Sequence, residues 1–485
     1  MEFSTDKTAS FSRRVLIICT DGLRPDSVDP ELMPTYAGLI DKGTLFTEFY
    51  TAYPPHTRVS VTTLTTGVYP GQHGVMSNLM FIPGFHEDSL LQTGNDKHLL
   101  EFMSIKGGPF ILSPTLGDRL HEHGKRLAIS ASSSPGASLL WNLNHPEQVI
   151  NPSSNYGEPT LMALHEQLGD VHDEQSSVKL QRAIWATRAL IDVYLADQAN
   201  QVMVLWLSEP DSSQHDYGLG SPEAKSSLRA VDHCVGQVLE AVECLGLSEQ
   251  LDILLISDHG HSAVDSQGSL KEHVDIACRE LAIESKFIVT GDYIYISPET
   301  RFHQGDVIRL AGWLQNQDWC DILFSGHPDL VLLPGVLPIK HIMGTVHHDR
   351  APLLVVSTKW SAETNIYGVP GTAKTLTSST SLLSTHGAMS PFDLNAFCLG
   401  YGPSFAEGRI SRTPCGIVDV APTVCYIIGQ TEETGFDGRV LFEGLKSYNG
   451  FPPEVERSII QNGSAAGKGI RLSTVNSSRY FHGTI

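Results

Sequence analysis

Four short stretches of this chain hold the side chains from which a metal-assisted hydrolase can be built. Val15–Cys19 runs into Thr20-Asp21-Gly22, and Gln201–Leu207 into Ser208-Glu209-Pro210-Asp211, with His215 four residues on. Leu251–Ser257 runs into Asp258-His259-Gly260-His261, and a further glycine turn carries Ser384-Thr385-His386-Gly387. Carboxylate, imidazole and hydroxyl together suit zinc at neutral pH, whereas carboxylates alone favour magnesium or calcium. The hydroxyl is Thr57, delivered by Tyr53-Pro54-Pro55-His56 into a segment closed by Gly67 and Pro70 and followed by His73, Gly74 and Asn78. A threonine hydroxyl is a poor nucleophile unaided and needs a base or a metal. Singly, each residue has an ordinary role: Asp21 as a helix N-cap, Ser257–Gly260 as a turn, Asp211 and His215 as a surface pair. Four turns of matching ligand chemistry argue against coincidence.

These residues need elements to bring them together. Arg13–Thr20, Gln201–Leu207 and Leu251–Ser257 are continuously apolar, the mark of strands buried on both faces of a parallel sheet. Open α/β sheets collect ligands at the carboxyl ends of their strands, so Asp21, Asp211 and Asp258 are expected along one edge. Helical patterns alternate with the strands at Met33–Gly43, Leu116–His123, Val178–Ala199, Pro222–Leu245 and Val418–Ile428, and Arg126–Ser130 reads as a further strand. The alternation predicts an α/β fold with a doubly wound, mostly parallel central sheet and helices on both faces. By propensity alone residues 58–66 read as a strand.

Residues 84–113 read as an irregular insertion within a first core part, 1–264. Residues 265–384, with strand-like pieces at Tyr293–Ser297, Asp329–Leu333 and Pro352–Ser357, read as an inserted cap or subdomain. The core is expected to resume over 385–445, with a strand at Asn395–Tyr401. Residues 446–485, rich in Gly and Ser, read as a tail that wraps the surface or frays.

Length and charge set the outer bounds. At 485 residues the chain exceeds a single compact core. A net charge of -21 without a basic cluster argues against nucleic-acid polymers and anionic membranes. A small phosphate- or phosphonate-bearing substrate still fits, because two divalent ions invert the local field. Eight scattered cysteines with no CxxC pair read as free thiols in a reducing compartment, and Cys19, Cys398 and Cys425 as small buried hydrophobes. No signal-peptide core and no membrane-length apolar run is visible, so the expectation is a cytoplasmic protein.

Taken as a set, these stretches resemble the alkaline phosphatase superfamily, and within it the nucleotide pyrophosphatase/phosphodiesterase branch. The matching pieces are Thr20-Asp21-Gly22, Thr57 to Asn78 with Thr66-Gly67-Val68-Tyr69-Pro70, Glu209-Pro210-Asp211 with His215, Ser257–Gly260, Thr385-His386-Gly387 with Ser390-Pro391, and Val418–Thr423. The resemblance implies two zinc ions, one held by Asp211, His215 and His386, the other by Asp21, Asp258, His259 and the Thr57 oxygen. It implies that Thr57 opens a helix, whose N–H groups favour a phosphoryl anion, and so overrides the strand propensity of 58–66. It further implies a covalent phospho-threonine intermediate at Thr57, and Asn78 as donor to a phosphoryl oxygen.

One departure bears on the substrate. Nucleotide-cleaving members carry an aromatic residue after the nucleophile, where this chain has Arg58, a side chain suited either to a second anionic group on the substrate or to a structural pair. A phosphonate C–P hydrolase resembling phosphonoacetate hydrolases is the enzymatic alternative; a non-catalytic binding protein on the same fold is the remote one. His341, His347 and His348 form a second imidazole cluster, read as a metal site or as a loop over the active site. His261 reads as exposed or as lying behind the ligands.

Overall fold

The computed structural model describes residues 13–485 except 87–88, 155, 157, 172–179, 377–381 and 464–467. Its organising element is β1 (Arg14–Thr20), flanked in parallel by β3 (Asn200–Leu207) and β4 (Leu251–Ile256). Every residue of these three strands is buried, as their unbroken apolar runs require. β2 (Arg126–Ala131) extends the parallel set beyond β3, and Val149–Ile150 completes that side. Beyond β4 lie β5 (Cys398–Tyr401), antiparallel, then Thr44–Phe46 and Arg409–Ser411, giving an eight-stranded, mostly parallel sheet.

Alternate side chains of a strand face opposite sides, and β1 divides accordingly. Val15, Ile17 and Cys19 join a core with Val61 and Leu64 of α1 (Thr57–Thr66) and with Val420 and Val424. Leu16 and Ile18 join another, with Val231, Val235 and Val238 of the Pro222–Cys244 helix. A third core lies within 265–384, where a five-stranded sheet packs helices Leu270–Glu280 and Gln304–Gln315.

Residues 58–66 are helical against their propensity. Thr62, Thr63 and Thr66 return their hydroxyls to the carbonyls four residues back, at 2.6–3.0 Å, and every α1 residue but Arg58 is buried. Packing decides against propensity here. The 84–113 stretch is more regular than expected: Leu90–Gln92 pairs with Leu79–Phe81, and Asn95 caps an eleven-residue helix, Asp96–Lys106.

The long helix expected over Val178–Ala199 is shorter. Val178 and Lys179 lie outside the described residues; Leu180–Ala189 is α-helical and Leu190–Leu195 widens into a π turn. At the exit of that turn the buried Arg14 guanidinium donates to the carbonyls of Leu195, Asp197 and Asn200 at 2.9–3.0 Å. Asp329–Leu333 is no strand: Leu330–Leu332 is a single 3-10 turn bonded back to the His327 carbonyl. The 446–485 stretch does not fray as a whole, for Val455–Gln461, Gly469–Val475 and Ser478–Thr484 form an antiparallel sheet. Ile470, Leu472, Val475, Tyr480 and Phe481 bury against the main core, and the Tyr480 hydroxyl donates to Asp419 Oδ2 at 2.8 Å. All eight cysteines are free, and no described helix is long and apolar enough to cross a membrane.

Arg14→Met should strand the buried carbonyls of Leu195 and Asn200 and lower unfolding stability by about 2–5 kcal/mol. Urea unfolding of the two proteins measures this.

Candidate metal centre and active site

Asp21 is the first residue past β1. Its N–H bonds the Leu207 carbonyl at the end of β3 (2.9 Å), and its own carbonyl accepts from Asp211 N–H (3.2 Å). The two turns are thus tied together just beyond the sheet, and their carboxylates emerge at one edge. Asp211 opens the seven-residue helix α2 (Asp211–Tyr217), which sets His215 one turn on, with Nε2 3.4 Å from Asp211 Oδ1. Asp258, His259 and His261 follow β4, and His386 follows the two-residue strand Ser384–Thr385.

Two glycines make the crowding possible. Gly22 sits at φ +68°, and a side chain there would reach within 3.0 Å of the Asp211 Cβ. At Gly260 an added Cβ would stand 2.0 Å from the Phe392 carbonyl oxygen, so the turn after Asp258 and His259 admits only hydrogen.

The side chains fall into two adjoining groups. In the first, the Nε2 atoms of His261, His215 and His386 stand 3.1, 3.4 and 3.6 Å from Asp211 Oδ1. Ligands of tetrahedral zinc, each ~2.0–2.1 Å from the ion, lie ~3.3 Å apart, so these spacings match its edges. In the second, His259 Nε2 lies 3.2 Å from Asp258 Oδ2, 3.5 Å from Asp21 Oδ1 and 3.2 Å from Thr57 Oγ1. Asp211 is near enough to serve either group, and the His259 and His386 rings stack at 3.7 Å where the groups meet.

Asp21 Oδ1 and Asp258 Oδ2 are buried with no hydrogen-bond partner, the condition a cation would relieve. The imidazoles are oriented from behind. Nδ1 of His215 bonds the Ser384 carbonyl (2.7 Å), Nδ1 of His259 that of Gly260 (2.9 Å), and Nδ1 of His386 that of Pro55 (2.6 Å). This fixes the tautomer that turns each Nε2 lone pair inward.

Burial, then Asp258 and Asp211, raises the Asp21 carboxyl well above its usual range; burial and Asp211 push Asp258 up to about 7. Burial lowers His259 to about 3 and His386 well below the ordinary imidazole value. His215 is raised: burial opposes protonation, but the Asp211 carboxylate outweighs it. The site therefore offers neutral imidazoles at His259 and His386 beside Asp21 and Asp258, whose carboxyl groups burial and neighbouring carboxylates make costly to ionise, an arrangement suited to divalent metal ions.

Thr57 is the first residue of α1, preceded by His56 in extended conformation. Asn78 Oδ1 accepts the Arg58 backbone N–H at 3.3 Å, which leaves the Asn78 amide N–H₂ as the free donor. Thr57, Arg58, Asn78, Asp211, His215 and His386 line one cavity of about 360 Å³; Asp21, Asp258 and His259 sit beneath it. Among the described residues, His341, His347 and His348 belong to no metal-ligating group. That loop instead packs on the Pro70–Gly74 turn, with His347 N–H to the Gly71 carbonyl and Arg350 Nη1 to that of Gly74.

The sequence undervalued two residues. His261 is fully buried against Asp211 rather than exposed; its spacing from His259 alone does not disclose this. Asp393, also fully buried, accepts the backbone N–H groups of Gly387 (3.1 Å) and Ala388 (3.0 Å) and the Ser262 hydroxyl, and so clamps the turn that carries His386. Its place just after Ser390-Pro391 was the available signal.

Two outcomes are expected. Asp393→Asn should lower metal affinity by about 10–100-fold while every ligand remains, as read by metal titration. Because the folded-state pKa of Asp258 is raised from 3.8 to about 7, the native metal-free protein retains a proton that the unfolded chain has lost. Its stabilising contribution is complete below 3.8 and vanishes as pH rises through 7. Thermal scans with chelator should therefore show melting temperature falling across this window relative to Asp258→Asn. With zinc present the slope should reverse, since metal binding requires the ionised carboxylate.

Comparison with known proteins identifies the family. A family model described as type I phosphodiesterase/nucleotide pyrophosphatase matches residues 15–362. Human ectonucleotide pyrophosphatase/phosphodiesterase family member 1 is 26% identical over 429 residues, 86% of this chain and 40% of the relative. The rat protein of that name is 26% identical over 263 residues, 53% of this chain and 25% of its own length. The human bis(5'-adenosyl)-triphosphatase ENPP4 is 22% identical over 431 residues, 88% of this chain and 80% of the relative. The chain thus spans a quarter to two fifths of the two family-member-1 relatives. With the family model covering most of its length, the chain belongs to the type I phosphodiesterase/nucleotide pyrophosphatase family.

Proposed function

We propose that this chain hydrolyses phosphodiester or pyrophosphate-type substrates with Thr57 as nucleophile. The observation that carries the reading is the Thr57 hydroxyl, 3.2 Å from His259 Nε2 at the first residue of α1 and opening on the cavity. The relatives' names, a pyrophosphatase/phosphodiesterase and a bis(5'-adenosyl)-triphosphatase, support the reaction class. The donor set fits two zinc ions, one held by Asp211, His215 and His386 and one by Asp21, Asp258, His259 and Thr57. When bound, they supply Lewis acidity that lowers the Thr57 hydroxyl's pKa and offsets phosphoryl charge.

The chain's own residues do the rest. Thr57 Oγ1 bonds to phosphorus as the bond to the leaving alcohol or phosphate breaks, and the Thr57 proton ends on the released group. Water then cleaves the phospho-threonine, returning a proton to Oγ1. The Asn78 amide donates to a non-bridging oxygen through both steps, and the N-terminus of α1 favours the anion. In this reading the sheet is doubly wound and 265–384 is an inserted cap. Eight free thiols fit a reducing, cytoplasmic setting. A phosphonate C–P hydrolase would use the same nucleophile and differ in what Arg58 holds.

Thr57→Ala should retain fold and metal content and lose about 10³–10⁶-fold in kcat/KM on a bis-aryl phosphate. Asp258→Ala or His386→Ala should lose metal itself. Activity surviving in Thr57→Ala rejects the covalent route, and unchanged metal stoichiometry in the ligand variants rejects the assignment.

A further inference from the structure

Arg58 follows the nucleophile directly, and its surroundings are unusual for a guanidinium. Its Nη2 donates to Ser134 Oγ at 3.0 Å, while Nε is buried without a partner. No carboxylate among the described residues stands within ion-pair distance of it. The charges that favour its protonated form are Asp21, Asp211 and Asp258, against burial, which disfavours it. Those carboxylates are the ones assigned to metal ions. Metal ions held there would neutralise those carboxylates and leave the guanidinium in the cavity wall as a cation without a counter-charge. An unpaired, partly buried charge is costly.

The rest of the cavity points the same way. Lys374 lines it too, compensated only loosely by Asp318 at 3.8 Å and Asp265 at 4.0 Å. The wall carboxylate Asp292 is engaged with His56, at 3.5 Å. No Phe, Tyr or Trp lines the cavity among the described residues, so there is no aromatic face on which a base can stack. At about 360 Å³ it is at the small end of ligand pockets, and a phosphoryl group at Thr57 leaves room for a short arm.

We propose that the substrate carries, beside the reacting phosphorus, a second anionic oxygen group, carboxylate or phosphate, which the Arg58 guanidinium binds in the cavity wall. This rests on reading the cavity as the phosphoryl-transfer site. A bidentate guanidinium–oxyanion contact is strong and directional, so Arg58 selects the substrate, and the nucleophile's neighbour excludes neutral and base-bearing esters by leaving them without a partner.

The test uses the zinc-loaded 485-residue chain and four 4-nitrophenyl diesters whose second arm is ethyl, 2-carboxyethyl, 2-phosphoethyl or thymidine-5'. The better of the two anion-bearing diesters is expected to exceed the ethyl ester by about 10–100-fold in kcat/KM, and its identity tells carboxylate from phosphate. In Arg58→Met the ratio should collapse towards one, and in Arg58→Lys it should recover in part, with metal content measured for each. A wild-type ratio near one, a preference for the thymidine ester, or a ratio unmoved in Arg58→Met overturns the proposal. If no diester is turned over, the hydrolase reading fails, and calorimetry still decides the present point. Phosphonoacetate should bind wild-type protein at least about tenfold tighter than ethylphosphonate, and equal affinities overturn it.

Discussion

Three carboxylates, Asp21 and Asp258 buried and Asp211 partly so, converge at one edge of a parallel sheet, and the fold around them is arranged to tolerate the repulsion. The strands that carry them are adjacent, with Ile17 opposite both Val204 and Leu254, so the turns beyond have nowhere to diverge. The same burial that raises Asp21 and Asp258 also keeps His259 and His386 neutral. Like charges held in a site of low polarity and neutral nitrogen lone pairs beside them are one condition seen from two sides, and divalent cations resolve both.

Holding that arrangement falls mostly to main chain. Carbonyls of Ser384, Gly260 and Pro55 set the three imidazoles, and hydrogen in place of a side chain at Gly22 and Gly260 lets the turns close. Asp393 does for the His386 turn what the Asp21–Asp211 backbone bond does for the first two. Backbone atoms cannot be re-aimed by rotamer changes, so a site built this way is rigid before any ligand arrives. The 265–384 segment contributes a different kind of part. Its Gly291, Asp292, Thr358, Ala373, Lys374 and Thr375 line the cavity, and none of them belongs to a candidate metal-ligating group, while Leu383 and Ser384 at its end bond to His215.

The central strands were legible because burial on both faces writes an uninterrupted apolar run, and strand ends are where chemistry collects in such sheets. Asp21, Asp211 and Asp258, with His215 and His259, could be picked out on that ground. Thr57 at a helix start was legible only through resemblance, since local propensity pointed to a strand and the deciding force was packing of Val61 and Leu64 into the core. The π turn at Leu190–Leu195 ends on a carbonyl held by an arginine more than 170 positions away, and the C-terminal sheet is built from faces that Gly and Ser content concealed.

By itself, then, the sequence determined which residue types are present, the strands that carry them, and the class of metal and reaction they suit. Those properties reside in local composition and period. Only the tertiary structure decided that His261 faces Asp211, that Asp393 clamps the His386 turn, and that, among the described residues, Arg58 meets no carboxylate partner in a cavity wall without aromatic side chains. Each of these is a distance between segments remote along the chain, set by how sheet, helix α1 and the 265–384 segment pack together, and no local pattern encodes such a distance.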